Sequence, residues 1–189
     1  FFNSSSNTEA GITAAFVSRV AVSRGGTFWL STWGHGLLKF DGEKVIASYL
    51  HDPDDPTSIG SSNVSEVELG PQGQLWVATI EGGLNVFDES TGTFERMGRE
   101  TGLTTNTIFA IETDKKGFLW LVTNAGVFQF EPISRRVVAS YGQKDALPSD
   151  VFLSWPGGTY MTSSQDLMLG TLSGMGVISI PLLSDEGAQ

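Results

Sequence analysis

The pattern Trp-x-x-Thr recurs along the sequence and constrains the fold more than any other feature. It occurs at Trp29–Thr32, Trp76–Thr79 and Trp120–Thr123, each time with a glycine three residues before the tryptophan. A fourth stretch, Asp166–Thr171, keeps the threonine but lacks the tryptophan and the glycine. The four threonines are 47, 44 and 48 residues apart. A period of about 40 to 50 residues, with several short strands per repeat, is typical of the blades of a β-propeller.

The middle repeat shows how one blade is built. Val64–Leu69 alternates apolar and polar residues, which is the period of a half-buried strand. Gly70–Gly73 is a predicted turn, and Leu75–Thr79 is apolar on both faces, as expected of a strand between neighbouring blades. Further turns lead to predicted third and fourth strands at Leu84–Phe87 and Thr93–Met97. Four meandering antiparallel strands per repeat is the plan of a propeller blade.

The other repeats follow the same order, so the sequence predicts an all-β fold. We expect a β-propeller segment of about four four-stranded antiparallel blades, forming part of a larger propeller. The predicted blades span about residues 11–50, 58–98, 102–142 and 145–181 of a single domain, residues 1–189. Residues 1–10 are predicted to form an outer strand of a preceding or closing blade. Whether this strand completes the last blade or pairs locally stays open.

Composition excludes several classes of function. The formal net charge is −10 and the eleven basic residues are scattered, which argues against nucleic-acid binding. No apolar run is long enough to cross a membrane, so we expect no direct membrane contact in this segment. The chain has no cysteine, which excludes disulfides, thiolate catalysis and cysteine metal sites.

The repeats resemble those of the two-component-regulator propeller family. The family pattern is Val-x-x-Ile-x-x-Asp-x-x-Gly-x-Leu-Trp-x-x-Thr-x-x-Gly-Leu, and Ile108–Val127 matches it nearly throughout. His51–Ile59 resembles the linker found between such blades. The resemblance covers about residues 11–180, with three well-kept repeats and one that has drifted.

The resemblance implies a role in signalling. Family members are typically bacterial membrane receptors in which a periplasmic propeller precedes an immunoglobulin-like module, a membrane helix and a histidine kinase or diguanylate cyclase. We therefore expect a ligand-sensing, non-catalytic periplasmic propeller without a cofactor, whose output enzyme lies outside this segment. We also expect self-association, because a partial propeller exposes apolar blade faces.

Candidate ligand-binding residues lie in the loops between second and third strands. Such loops share one end of a propeller with the connections between blades. Trp33 and His35 occupy the first of these loops, and Glu81 and Asn124 occupy the corresponding loops of the next two repeats. Together, Trp33, His35 and Glu81 offer stacking and hydrogen bonding to a polar small molecule or a glycan.

The remaining residues with chemical potential have structural interpretations. The repeated tryptophans are interpreted as packing residues and the repeated threonines as strand-end hydrogen-bond donors. His51 lies in an acidic linker, where a solvated position is expected. The aspartates of that linker do not match a calcium loop, so no metal is predicted; they are Asp52, Asp54 and Asp55. Two alternatives remain open: a propeller lyase or hydrolase acting on a small molecule, and a scaffold propeller that binds proteins.

Overall fold

The computed structural model describes residues 16–23, 25–145, 147, 158–171 and 174–179. These residues form strands and two short 3₁₀ turns, Arg99–Thr101 and Gln143–Asp145. The strands make four sheets, named here blades A to D in chain order. Blade A contains β1 (Val17–Val22), β2 (Phe28–Thr32), β3 (Leu37–Phe40) and β4 (Val45–Tyr49); blade B contains β5 (Val64–Leu69), β6 (Leu75–Thr79), β7 (Gly83–Asp88) and β8 (Thr93–Met97); blade C contains β9 (Ile108–Thr113), β10 (Leu119–Thr123), β11 (Gly126–Glu131) and β12 (Arg136–Tyr141); blade D contains β13 (Thr159–Met161), β14 (Asp166–Thr171) and β15 (Gly174–Ser179).

Each blade is an antiparallel meander, which confirms the predicted all-β propeller architecture. Blades A, B and C have four strands in sequential order, and blade D has three described strands. The first strand of each blade is the innermost, since β1 packs on β5, β5 on β9 and β9 on β13. The predicted strand in residues 1–10 and any fourth strand of blade D after residue 180 lie outside the described residues.

The repeated tryptophans pack between consecutive blades. Trp29 meets Phe87 of blade B with ring centroids 5.1 Å apart, and Trp76 meets Phe130 of blade C at 5.6 Å. Trp120 lies in a cluster with Leu167 and Leu169 of blade D. All three tryptophans are at most 2% exposed. Their equivalent positions confirm that the repeat encodes blade packing.

The repeated threonines close the hairpin between the second and third strands. The hydroxyl of Thr32 donates to Gly36 O at 2.7 Å, that of Thr79 to Gly83 O at 2.8 Å, and that of Thr123 to Gly126 O at 2.7 Å. These buried bonds confirm the predicted strand-end role. They close the base of each loop that carries the candidate residues.

The glycine three residues before each tryptophan adopts the positive φ angle that the first turn of the blade requires. Gly26, Gly73 and Gly117 have φ values of 82°, 86° and 87°, a region that disfavours residues with a Cβ atom. In the drifted repeat Gln165 adopts φ 67° at the same place. Its buried side chain accepts a hydrogen bond from the Lys115 amide at 2.6 Å. Blade D therefore replaces the glycine by a residue that ties it to blade C.

Candidate functional site

The loops between second and third strands and the connections between blades meet at one end of the molecule, named here the upper end. Gly36 N donates to Ser62 O at 2.9 Å, and Gly83 N donates to Asn106 O at 2.8 Å. Each bond joins a loop to the connection that leads into the next blade. The predicted shared end is therefore present and is cross-linked by main-chain hydrogen bonds.

Trp33 and His35 lie together in the loop of blade A. Trp33 is 38% exposed, and its main-chain amide donates to Phe16 O at 3.1 Å. The His35 Nδ1 atom lies 3.0 Å from Trp33 O, so a proton on this nitrogen would be donated to that carbonyl. The loop thus offers solvent an indole face beside an imidazole.

Glu81 and Asn124 occupy the corresponding loops of blades B and C, and both are exposed. Glu81 has φ 68°, which is uncommon outside glycine and holds its side chain in a tight turn. Asn124 Oδ1 accepts from the Thr105 hydroxyl at 2.6 Å. Neither residue makes a direct hydrogen bond to Trp33 or His35 within the described part of the chain, so the four residues share an end of the propeller without being linked to one another by hydrogen bonds across the loops.

A cavity of 410 Å³ opens beside these loops on blade C. Its lining includes Thr104, Ala125, Tyr141 and Lys144, and none of the four predicted residues. The volume falls in the range of small-ligand sites. Sequence reasoning missed it, because its walls come from three separate segments of the repeat: Thr104, residues 125–128 and residues 140–144.

Inner strands carry a second feature that sequence reasoning missed. The pairing of first and second strands shifts by one residue at the same place in blades A, B and C, which marks a β-bulge. In two blades the bulged residue is a serine. Ser18 Oγ donates to Val64 O at 3.0 Å and Ser65 Oγ donates to Ile108 O at 2.6 Å. The bulged serines therefore link each inner strand to the next.

Beyond the bulges, charged side chains on the inner strands of three blades converge; Arg19 and Glu66 directly follow a bulge, and Glu112 lies two residues further along its strand. Arg19 Nε lies 2.8 Å from Glu66 Oε1, although the N–H is not aligned with this oxygen as a hydrogen bond. A second guanidinium nitrogen of Arg19 lies 3.8 Å from Glu112 Oε1. Glu68 accepts from the Thr113 hydroxyl at 3.1 Å. We call Arg19, Glu66, Glu68 and Glu112 the axial cluster.

Burial dominates the electrostatics of the axial cluster. Desolvation raises the pKa of Glu66 to about 8, although the nearby Arg19 lowers it. Burial also raises the pKa of Glu68 and of Glu112. One arginine thus faces three carboxyl groups. At Glu66, the attraction of Arg19 favours the ionised carboxylate, and the cost of burying a charge opposes it.

The axial cluster was hidden in the sequence because its members are not repeated. Arg19, Glu66 and Ala110 occupy equivalent positions opposite the second strand of their blades. The alternation in Val64–Leu69 was interpreted as a half-buried strand, whereas Glu66 is only 5% exposed. One signal for the cluster was available in the sequence. Neighbouring blades cover an inner strand on both sides, so a glutamate on such a strand has to be buried.

The described residues contain no group of three or more histidine, aspartate or glutamate side chains arranged to hold a metal ion. They also contain no helix of the length and apolar character that crossing a bilayer requires.

Sequence comparison identifies the best-kept repeat. Residues 102–125 match the model of the two component regulator propeller family. This stretch is similar to a two component regulator propeller repeat. The resemblance predicted from Ile108–Val127 is thereby confirmed, and the match covers β9 and β10 with the loop that carries Asn124. No curated protein gives a significant match to the sequence.

Structural comparison finds similar folds within longer chains. The fold is similar to the extracellular domain of the putative hybrid two component system BT4673 from B. thetaiotaomicron, with a TM-score of 0.71 and 17% identity over 90% of this chain and 24% of that chain. The corresponding domain of BT3049 from the same organism gives a TM-score of 0.60 and 17% identity over 87% and 28%. The chain thus spans about a quarter of the length of these domains.

An enzyme shares the propeller fold as well. A catalytically inactive virginiamycin B lyase from Staphylococcus aureus, solved with quinupristin, gives a TM-score of 0.60 and 16% identity over 88% of this chain and 56% of that chain. Similarity at this level of identity establishes the fold alone.

Proposed function

We propose that this chain is the ligand-sensing, non-catalytic propeller region of a membrane-anchored bacterial signalling receptor, acting in the periplasm. The observation that carries the proposal is the regulator propeller repeat at residues 102–125, within a fold similar to the extracellular domains of two hybrid two component systems. An output module of the two-component or diguanylate cyclase type lies outside this segment in the proposed receptor.

The proposed ligand is a small polar molecule or a glycan that binds at the upper end. Trp33 supplies an exposed aromatic face, and His35, Glu81 and Asn124 supply hydrogen-bonding groups on three consecutive loops. Stacking on an indole with a few polar contacts is a common way to bind such ligands. For binding to become a signal, the ligand has to bind one receptor state more tightly than the other.

Ligand binding is tested by titrating the chain with a panel of glycans and small polar metabolites while recording tryptophan fluorescence. Among the described residues, Trp33 is the tryptophan of the upper-end loops, so binding is expected to change its emission, and Trp33→Phe is expected to remove that change. In the intact receptor, His35→Ala and Glu81→Ala are expected to abolish the ligand response. His51→Ala is the matched control, because His51 lies in the linker. An unchanged response in the His35 and Glu81 variants contradicts the site.

We further propose self-association through the outward faces of the terminal blades. Val20 and Val22 of blade A are 48% and 50% exposed, and Met175 and Val177 of blade D are 60% and 48% exposed. In the middle of the chain, neighbouring blades cover the equivalent faces. The exposed apolar side chains of blades A and D are therefore expected to be buried against another copy of the chain. Light scattering tests this: Val177→Glu should reduce the apparent mass, and Val138→Glu on an outer strand of blade C should not. A monomer at every concentration contradicts self-association.

The second candidate function is a propeller lyase, favoured by the fold shared with virginiamycin B lyase. Metal analysis of the purified protein together with a lyase assay separates the two functions. A bound metal with turnover supports the enzyme, and the absence of both under assay conditions that activate a known lyase supports the sensor.

A further inference from the structure

We propose that the axial cluster is a proton-operated latch between blades, in which the charge of Glu66 decides how Arg19 is shared between blade B and blade C. The latch uses none of the residues proposed for the ligand site at the upper end. It concerns how firmly the inner strands are held together.

The geometry places one cation between two acceptors on different blades. Arg19 projects from β1 toward β5 and β9, where Glu66 Oε1 is 2.8 Å from its Nε and Glu112 Oε1 is 3.8 Å from another guanidinium nitrogen. The side chains of Glu66 and Glu112 are 7% and 13% exposed. The Arg19 side chain is 37% exposed, so water screens the guanidinium on its outer side, whereas the two carboxylates it faces are buried. A guanidinium shared in this way responds to the charge of either carboxylate.

The cluster also reaches the main chain of the adjoining blades. The Ile111 amide of β9 donates to Glu66 Oε2 at 3.4 Å, which is long for such a bond. The Glu112 carboxylate accepts from the Met161 amide of β13 in blade D. Changes at Glu66 are therefore transmitted to β9, and through Glu112 to β13.

The charged groups that face Glu66 come from each packed element. These groups are Arg19 on β1, Glu68 on β5 itself and Glu112 on β9. The second strands of blades A and B, β2 and β6, contain no ionisable side chain. When Glu66 is protonated, Arg19 balances Glu112, and the pair ties blade A to blade C. When Glu66 is ionised, it draws Arg19 to blade B and repels Glu112. The bond from the Ile111 amide favours this form, but the cost of burying the charge and the repulsion from Glu112 and Glu68 outweigh it, so β9 is held less firmly against β5.

The titration of Glu66 provides the first test. Burial raises its pKa to about 8, so the ¹³C shift of its carboxyl carbon is expected to titrate near that pH. Arg19→Gln should move the midpoint to higher pH, because Arg19 favours the ionised form. A midpoint at the ordinary glutamate value overturns the latch, and this readout needs no variant at Glu66 to fold.

Hydrogen exchange provides the second test. Above the midpoint, the Ile111 amide of the wild type is expected to exchange at least about threefold faster than in Glu66→Gln measured at the same pH. Below the midpoint the two proteins should agree. Glu95→Gln is the matched control, because Glu95 pairs with Arg135 on the exposed part of blades B and C. Equal exchange in wild type and Glu66→Gln on both sides of the midpoint overturns the latch.

Discussion

Trp120 Nε1 donates a 2.9 Å hydrogen bond to Asp114 Oδ2, whereas the equivalent atom of Trp76 is buried without a partner in the described structure. Asp114 opens the first turn of blade C and Gly70 opens that of blade B. The other oxygen of Asp114 accepts from the amides of Lys116 and Phe118, both at 2.9 Å. One aspartate thus closes the turn and fixes the indole of the family-matching repeat.

Asp114→Ala should destabilise the protein strongly. It removes the buried acceptor of the Trp120 indole and of two turn amides, and we expect a loss of about 3 kcal/mol in the free energy of unfolding. Urea denaturation measures the loss. Asp88→Ala is the matched control, because Asp88 caps an exposed turn through Ser90. Equal losses in the two variants would show that the indole bond adds nothing.

Gly70→Ala should also destabilise the protein, by overpacking. A Cβ atom on Gly70 would lie 2.7 Å from Trp76 Nε1 and 2.9 Å from Trp76 Cδ1, so the buried ring has to shift. We expect a loss of about 1 to 3 kcal/mol by urea denaturation. Gly25→Ala, where the nearest atom would be 3.9 Å away, is expected to change stability little. If both substitutions are neutral, the Trp76 site is looser than described.

The contrast between Asp114 and Gly70 illustrates what the sequence can and cannot predict. The turn, the strands and the inward tryptophan were predictable, because glycine, alternation and the repeated Trp-x-x-Thr impose them locally. Only the structure shows that Trp76 Nε1 has no hydrogen-bond partner within the residues that it describes. Blade B has Gly70 where blade C has Asp114, and the turn accepts either residue. The axial cluster was still less accessible, because Arg19, Glu66 and Glu112 meet only after three blades have stacked.

Stability should fall as the pH rises through the neutral range. The folded protein raises the pKa of Glu66 from 4.5 to about 8, so it binds this proton more tightly than the unfolded chain does. The free energy of unfolding therefore decreases between these two values and is level above them. We expect a decrease of up to about 5 kcal/mol at constant ionic strength.

Urea denaturation across this pH range measures the decrease, and Glu66→Gln should remove most of it. Glu68 and Glu112, whose pKa values are also raised, contribute with the same sign. Exposed aspartates such as Asp41 and Asp166 have lowered pKa values, so their effect on stability has the opposite sign. They stabilise the folded protein when ionised, and this stabilisation is lost only in more acidic solution. Identical pH profiles for the wild type and Glu66→Gln would exclude Glu66 as the source.

The serine bridge between inner strands should contribute to blade packing. Ser65→Ala removes the 2.6 Å bond to Ile108 O and leaves that buried carbonyl without its side-chain donor. We expect a loss of about 1 to 2 kcal/mol by urea denaturation. Ser48→Ala, on the exposed outer strand of blade A, is the control and should be nearly neutral. A neutral Ser65→Ala would mean that the inner strands are held by other contacts.

The stacking of blades around the repeated tryptophans is tested most directly by nuclear Overhauser effects between aromatic rings in selectively labelled protein. The structure predicts cross-peaks from the Trp29 indole to Phe87 and from the Trp76 indole to Phe130, since their ring centroids are 5.1 Å and 5.6 Å apart. Each pair joins one blade to the next. Cross-peaks at both pairs support the propeller. Indole cross-peaks confined to residues of the same sheet would contradict it.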